Sequence, residues 1–342
     1  MSNYTTMVVP FKKEFLKTHD NADKLIRFCV PDTLYEVCLN KADWLTPEGE
    51  PLVESAVYFE PDTILDKTIL HYVNEFHWIR DMADGKSYRV KAKKLRGVCS
   101  FGLMTRTPFG CEIGENVWEK FGMKRWQPEE PKEPGGHSNQ VAGPKRDFSK
   151  YDVESYDKYY KCFEEGESVI ALLKINGANQ RVCYQDNQVY VGSRSQWKKE
   201  QDSCDFWKAY RSVPGLENLI KENPHLCVFG ESYGNIAKMR EDAQPGQRLF
   251  RAFDIYNTES NTWLNFEEWS QLCIAHAVPF CPIIYRGPLN SAKLKEMVEA
   301  DSPLNPGQCM EGVVITPEKE RWHPKLGRVK AKIVSCRYFE LK

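Results

Sequence analysis

The stretch "QPEEPKEPGGHSNQVAGPKRD", residues 127–147, interrupts the chain with proline, glycine and charge and carries no apolar period. It has no face to bury, so the sequence on either side must build its own core. Taken as a linker over residues 127–148, it separates a first module, 1–126, from a second, 149–342. A chain of 342 residues is also longer than one hydrophobic core commonly serves.

The first module reads as strands: "LIRFCV", "LYEVCLN", "SAVYFE", "SYRVKAKKL" and "GVCSFGLMT", divided by turn-formers such as Pro31 with Asp32, Pro61 with Asp62 and Asp84 with Gly85. Short strands at this density predict a small barrel or sandwich. An OB-type barrel fits because such barrels bind oligonucleotides across a cationic strand face. A small β barrel whose lysines only solvate an edge strand is the alternative.

The string "RVKAK" occurs twice, at 89–93 and 328–332. In an extended strand each copy sets its arginine and two lysines on one side, with valine and alanine on the other. The flanks, "KLRGVCS" and "IVSCRYF", do not match, so this is no internal repeat. Lys plus Arg number 47 against 48 Asp plus Glu, so no global field attracts a polyanion and a nucleic-acid site must be a local concentration of cations. Arg89, Lys91, Lys93, Lys94 and Arg96 form the first candidate.

The twelve cysteines include no CxxC, and the seven histidines do not cluster with them, which speaks against structural zinc. The apolar patch near the start is broken by Pro10 and is too short for a secretory leader. No later stretch approaches a membrane span, so a soluble intracellular protein is expected, its compartment open.

The second module mixes strands, among them "ESVIALLKI", "LCVFGES", "LFRAFDIY", "EGVVIT" and "RVKAKIV", with helices. Asn265 is set to cap a helix through "FEEWSQLCIAHA", and Asn290 or Ser291 another through "AKLKEMVEA". The pattern is α+β with antiparallel pairs, without regular βαβ alternation. Lys174 ends an apolar run and is followed at once by Asn176, Gly177 and Asn179, a turn rich in amides. Such a lysine is a nucleophile when desolvation or nearby cations lower its pKa, and the second ribbon could supply the cations. Glu231 in "CVFGESYG" and Glu311 in "CMEGVVI" are carboxylates inside apolar strands, and each needs a cation, a metal or strong donors nearby.

Six strings, "KING" at 174–177, "GSRSQW" at 192–197, "FGESYG" at 229–234, "FRAFDIY" at 250–256, "EGVVI" at 311–315 and "VKAK" at 329–332, follow one another in the order and approximate spacing of the lysine nucleotidyltransferases. That superfamily comprises ATP-dependent RNA and DNA ligases and mRNA capping enzymes. "KINGAN" and "FGESYG" most resemble the RNA ligases, in the type with an OB module before the nucleotidyltransferase domain. Two positions depart from the pattern: Asn176 stands where Asp, Glu or His is usual, and Leu173 where a glutamate often precedes the lysine.

The resemblance implies a mechanism in which Lys174 takes AMP from ATP, AMP passes to an RNA 5′-phosphate, and a 3′-OH then displaces it. It implies Lys330 and Lys332 on the α-phosphate, Glu231 and Glu311 on Mg²⁺ or Mn²⁺, and Asn176, Gly177, Asn179, Arg194, Phe253 and Glu231 around the nucleotide. Trp197, Tyr233 and Asp254 would be scaffold. The partner implied is RNA with 3′-OH and 5′-phosphate ends, at duplex nicks, met by a monomer. Two alternatives stay open: a DNA ligase or capping-type enzyme, and a degenerate RNA-binding sensor without catalysis.

Overall fold

The computed structural model describes residues 6–66, 79–81, 87–105, 110–127, 140–146, 151–234 and 239–339. Two compact units emerge, Met1–Glu129 with Phe339–Lys342, and Glu130–Tyr338. Most of the 127–148 linker lies outside the described residues.

In the first unit Thr6–Pro10, Ser55–Phe59 and Leu103–Thr105 form a three-stranded antiparallel sheet. Its central strand shows the two-residue period plainly. Val57 and Phe59 pack with Leu65, Val90 and Trp118, whereas Ala56 and Tyr58 pack with Phe11, Phe28 and Trp44, so the sheet separates two cores. A meander of Leu16–Thr18, Leu25–Cys29 and Glu36–Asn40 makes a second sheet, and shorter strands make two more. Among the described residues no sheet closes on itself.

The "SYRVKAKKL" segment is not one continuous strand. It divides at Lys91 into Ser87–Val90 and Ala92–Leu95, which join different sheets. "GVCSFGLMT" divides likewise at Gly102, whose φ of +104° and whose position against the Phe59 carbonyl, 2.4 Å from where a Cβ would sit, admit only glycine.

The second unit holds two main sheets. A seven-stranded sheet runs, edge to edge, through Gln140–Val141, Trp197–Lys198, Gln188–Ser193, Ala178–Gln185, Leu226–Gly234, Arg248–Asn257 and Thr262–Trp263. A five-stranded sheet runs through Glu154–Ser155, Ala331–Val334, Gly312–Pro317, Ser168–Leu173 and Ile283–Pro288. All their pairings are antiparallel except that of Glu154–Ser155 with Ala331–Val334. The mixed α+β class expected from sequence is what the chain adopts.

Local signals account for several elements. The hairpin at Asp186 and Asn187 takes left-handed φ values of 49° and 60°, which Asp and Asn tolerate better than other side chains. Asn265 and Glu268 close a capping box on Phe266–Ala275, and the Asn290 side chain accepts the Lys293 N–H to start Ser291–Met297. Helices Asp205–Arg211 and Pro214–Glu222 lay Phe206, Trp207, Leu216, Leu219 and Ile220 inward. No helix among the described residues is long and apolar enough to cross a membrane.

Candidate active site

Lys174 leaves the end of Ser168–Leu173, its N–H donating to the Gly312 carbonyl of the neighbouring strand. The chain then crosses to the seven-stranded sheet within four residues. That crossing is tight: a Cβ on Gly177 would lie 2.2 Å from the Ser232 carbonyl oxygen. The same approach lets the Gly177 N–H donate to the Glu231 carboxylate. Gly177 is thus required for close packing of the turn on Leu226–Gly234, the strand that carries Glu231.

Glu311 faces the lysine from the start of Gly312–Pro317, its Oε1 2.7 Å from Lys174 Nζ. Its other oxygen accepts from Asn176 Nδ2 at 2.8 Å. Asn176 Nδ2 also donates to Tyr338 Oη at 2.6 Å, and Asn176 Oδ1 accepts the Met239 N–H at 3.3 Å. Gly312, at φ +154° with a Cβ position 2.0 Å from the Ile333 carbonyl, lets this strand start against its neighbour. The amide at the position where an acid is usual therefore acts as a spacer between Glu311 and Tyr338.

The electrostatics follow from burial with an uneven charge count. Burial lowers the Lys174 pKa, but Glu311 and then Glu231 outweigh it and hold the ammonium well above the usual lysine range. Burial pushes Glu231 up to about 8, opposed by Lys174 and reinforced by Glu311. Two carboxylates thus share one cation. Tyr338 rises to about 12, through burial first and Glu311 second. The expectation that the second ribbon depresses Lys174 is not met in this arrangement, where Arg328 and Lys330 answer other carboxylates.

Lys330 is buried and donates to the Tyr151 hydroxyl at 2.8 Å and to Asp254 Oδ2. Arg328 grips the same Asp254, at 2.6 and 3.0 Å, and also Glu320. Asp254 is fully buried. Burial raises its pKa, but Arg328 and Lys330 more than offset this and hold it below the usual range. Burial, then Arg328, pull Lys330 below the usual lysine range. The buried Cys281 thiol lies within electrostatic reach of both Lys174 and Lys330.

Lys332 pairs in register with Val314, and Val314 with Leu172, so the two-residue period sets Lys332 on the sheet face toward which Lys174 emerges. Asn179 and Glu231 are also directly paired and share a face. Arg194 reaches Asp152 at 3.0 Å, and Phe253 packs against Tyr151 with ring centroids 4.9 Å apart. In the first unit Arg89 is bound to Asp62 at 2.8 Å through Nε and lies 3.2 Å from the centre of the Trp126 ring. Lys93 and Arg96 are exposed, Lys91 and Lys94 half-buried, and Arg96 occupies a hairpin turn at φ 47°.

A family model for RNA ligase matches residues 167–334, a span that contains Lys174, Glu231, Glu311, Lys330 and Lys332. This segment is similar to the RNA ligase family. Solved structures of Naegleria gruberi RNA ligase share the fold. A ligand-free variant matches at 22% identity and TM-score 0.77, over 100% of this chain and 99% of that one. The enzyme with PPi matches at 21% and 0.76, over 100% and 99%. A variant with ATP and Mn matches at 21% and 0.75, over 99% of each. Direct sequence comparison with curated proteins gave no match.

Around Lys174 and Lys330, the structure adds residues that sequence reasoning missed. Tyr338 and Tyr151 sit outside every motif, one in the closing "CRYF" helix and one beside the linker, and only the folded chain brings them to Asn176 and Lys330. Asp254, expected to be scaffold, is the anchor of the second ribbon.

Asn176→Asp is expected to cost about 1–3 kcal/mol at pH 8, because a donor to Glu311 becomes a second anion beside it. The penalty should shrink toward pH 5 as one of the two carboxyls takes a proton. Urea midpoints of both proteins across that range measure it, and a pH-independent difference would contradict the charge explanation.

Proposed function

We propose that the chain is an ATP-dependent RNA ligase that joins 3′-OH and 5′-phosphate RNA ends at duplex nicks, acting as a monomer through lysyl-AMP and RNA-adenylate intermediates. The observation that carries the reading is Lys174, held by Glu311 at 2.7 Å inside the segment that matches the RNA ligase family. The solved relatives' complexes with ATP and Mn, with AMP and Mn, and with PPi support the choice of nucleotide and metal.

In the first step the Lys174 amine forms a bond to the α-phosphorus of ATP and the bond to pyrophosphate breaks. The ammonium must first lose a proton, and Glu311 is its nearest acceptor. Lys330 and Lys332 take the α-phosphate oxygens, Lys330 exchanging Asp254 for phosphate. Asn179 and Arg194 contact phosphate or ribose, Phe253 stacks on the base, and Gly177 keeps the turn close enough for the nucleotide to reach the lysine.

Glu231 and Glu311 fit a hard divalent cation: they are oxygen donors, and both act on the same cation, Lys174. No group of three or more His, Cys, Asp or Glu among the described residues would cage the ion, so phosphates and water complete its shell. Bound there, Mg²⁺ or Mn²⁺ supplies charge neutralisation at the phosphates.

The domain bounds 1–126 and 149–342, and an OB-type role for the first module with Lys91, Lys93, Lys94 and Arg96 on RNA, belong to the same proposal. Incubation with ATP labelled at the α-phosphorus and Mg²⁺, then a denaturing gel, tests it. Acid-labile label on the polypeptide, followed by sealing of nicked RNA duplexes in preference to DNA, is expected. Label from GTP but not ATP would point to a capping-type enzyme, and no label with either would leave an RNA-binding sensor. Replacing Lys91 and Lys93 together with alanine should preserve the label, slow sealing and lower the salt slope of RNA binding by about one or two units. Loss of label alone would contradict this division.

A further inference from the structure

Trp322 is 71% exposed, the most exposed large apolar side chain among the described residues. It sits on a two-stranded hairpin in which Trp322 pairs with Arg328 and His323 with Gly327, and the chain runs from this hairpin through Val329 directly into Lys330. Gly327 takes φ +79°, and a Cβ there would lie 3.5 Å from the indole, so the ring rests over a residue without a side chain.

The hairpin is rigidly tied. Arg321 binds Glu167 through two nitrogens, at 3.0 and 2.7 Å, and donates to the Cys162 carbonyl. Arg328 binds Asp254 and Glu320, and the Val329 N–H donates to the Arg321 carbonyl at 3.0 Å. An indole left in water on a fixed frame gains nothing for the fold.

Its neighbours are cationic and polar. Lys325 at the hairpin tip and Lys319 before it are exposed, His323 is half-exposed, and Lys161 is exposed beside Cys162. The Arg321 bond to the Cys162 carbonyl, at 3.0 Å, brings the turn that carries Lys161 against the hairpin. The nearby acids Glu320 and Glu167 are taken up by Arg328 and Arg321. Glu164, more exposed, lies 3.8 Å from Arg321. A protein-docking face needs a contiguous apolar area, whereas one aromatic ring flanked by lysines is the pattern that takes an unstacked base and its phosphates.

We propose that Trp322 is a stacking platform for an unpaired base of the RNA strand, with Lys325 and Lys161 on the adjoining phosphates. It rests on the RNA ligase reading for the identity of the strand, and it assigns a strand-holding surface on the hairpin that leads into the ribbon of Lys330 and Lys332. The chemistry suits a single-stranded RNA end better than a continuous duplex, whose bases are stacked on one another.

The test uses the full chain as wild type, Trp322→Ala, Trp322→Phe and Lys325→Ala, with two readouts: covalent label from ATP, and anisotropy of a fluorescent single-stranded oligoribonucleotide. Trp322→Ala should weaken RNA binding about 5- to 150-fold, the range to which about 1–3 kcal/mol of stacking converts. Trp322→Phe should recover most of it, and Lys325→Ala should flatten its salt dependence. An alanine variant that binds RNA like wild type overturns the inference, whether or not the protein takes label, and leaves the indole to a different occupant. Wild type without label but with tryptophan-dependent RNA binding would sink the ligase reading and leave the platform standing.

Discussion

Lys174→Ala should abolish covalent labelling by ATP, a fall of about 10⁴-fold or more, as removal of a bond-forming nucleophile does. No neighbour can substitute. Lys330 is bound to Asp254 and Tyr151, Arg328 is shared between Asp254 and Glu320, and Lys332 is carried two strands away from the strand that ends at Lys174. The same substitution should also destabilise the fold, because Glu311 loses the ammonium 2.7 Å away. The expected cost is about 1–3 kcal/mol near pH 8, below the full price of orphaning a buried charge because Glu311 keeps its hydrogen bond from Asn176. Its sign with pH is fixed. A deficit that comes from a carboxylate charge left without its cation is absent at low pH and opens as pH rises. Labelling on a denaturing gel measures the first effect and urea midpoints from pH 4 to 8 the second. Persistent label on the alanine variant would place the nucleophile elsewhere.

The division between what could and could not be read in the sequence follows the range of the interactions. Lys174 with Asn176 and Gly177, and the glutamates beside Gly177's partner strand and Gly312, are local strings whose composition conflicts with plain strand burial. They are therefore visible one at a time. That Asn176 would bridge Glu311 and Tyr338 was not visible, because those contacts span 135 and 162 residues. The two "RVKAK" copies show the limit of periodicity. The alternation of charge is real in both, but in the first copy the strand breaks at Lys91, and Asp62 with Trp126 captures Arg89. In the second, Asp254 gathers Arg328 and Lys330 before any phosphate does. Cations are legible in a sequence, and the carboxylates that answer them are not.

Glu311→Gln separates two roles that Glu311 combines in the proposed chemistry, raising the pKa of Lys174 and balancing a metal. In the wild type Lys174 resists deprotonation because Glu311, then Glu231, overcome the effect of burial. With the charge removed, burial counts for more and the lysine pKa falls, so the limb of the pH–rate profile that reports its deprotonation should move to lower pH. Glu231 should fall from about 8 as well, since Glu311 is one of the groups that raise it. If pKa were all that mattered, the variant would be the faster enzyme at neutral pH. The expectation is the reverse. Loss of one of the two glutamates that act on the lysine should cut the maximal rate of lysyl-AMP formation about 10²- to 10³-fold, the scale seen when one preorganised electrostatic contact is removed. It should also raise the Mg²⁺ concentration needed for half-maximal rate. In the wild type at limiting Mg²⁺ the rate should climb through about pH 8 as Glu231 ionises, and saturating Mg²⁺ should shift that climb downward, because the cation favours the carboxylate. Rates of labelling across pH at two Mg²⁺ concentrations give every one of these quantities from one set of curves. A glutamine variant with a lowered limb and an undiminished maximum would reduce Glu311 to a counter-ion and leave Glu231 to hold the metal alone.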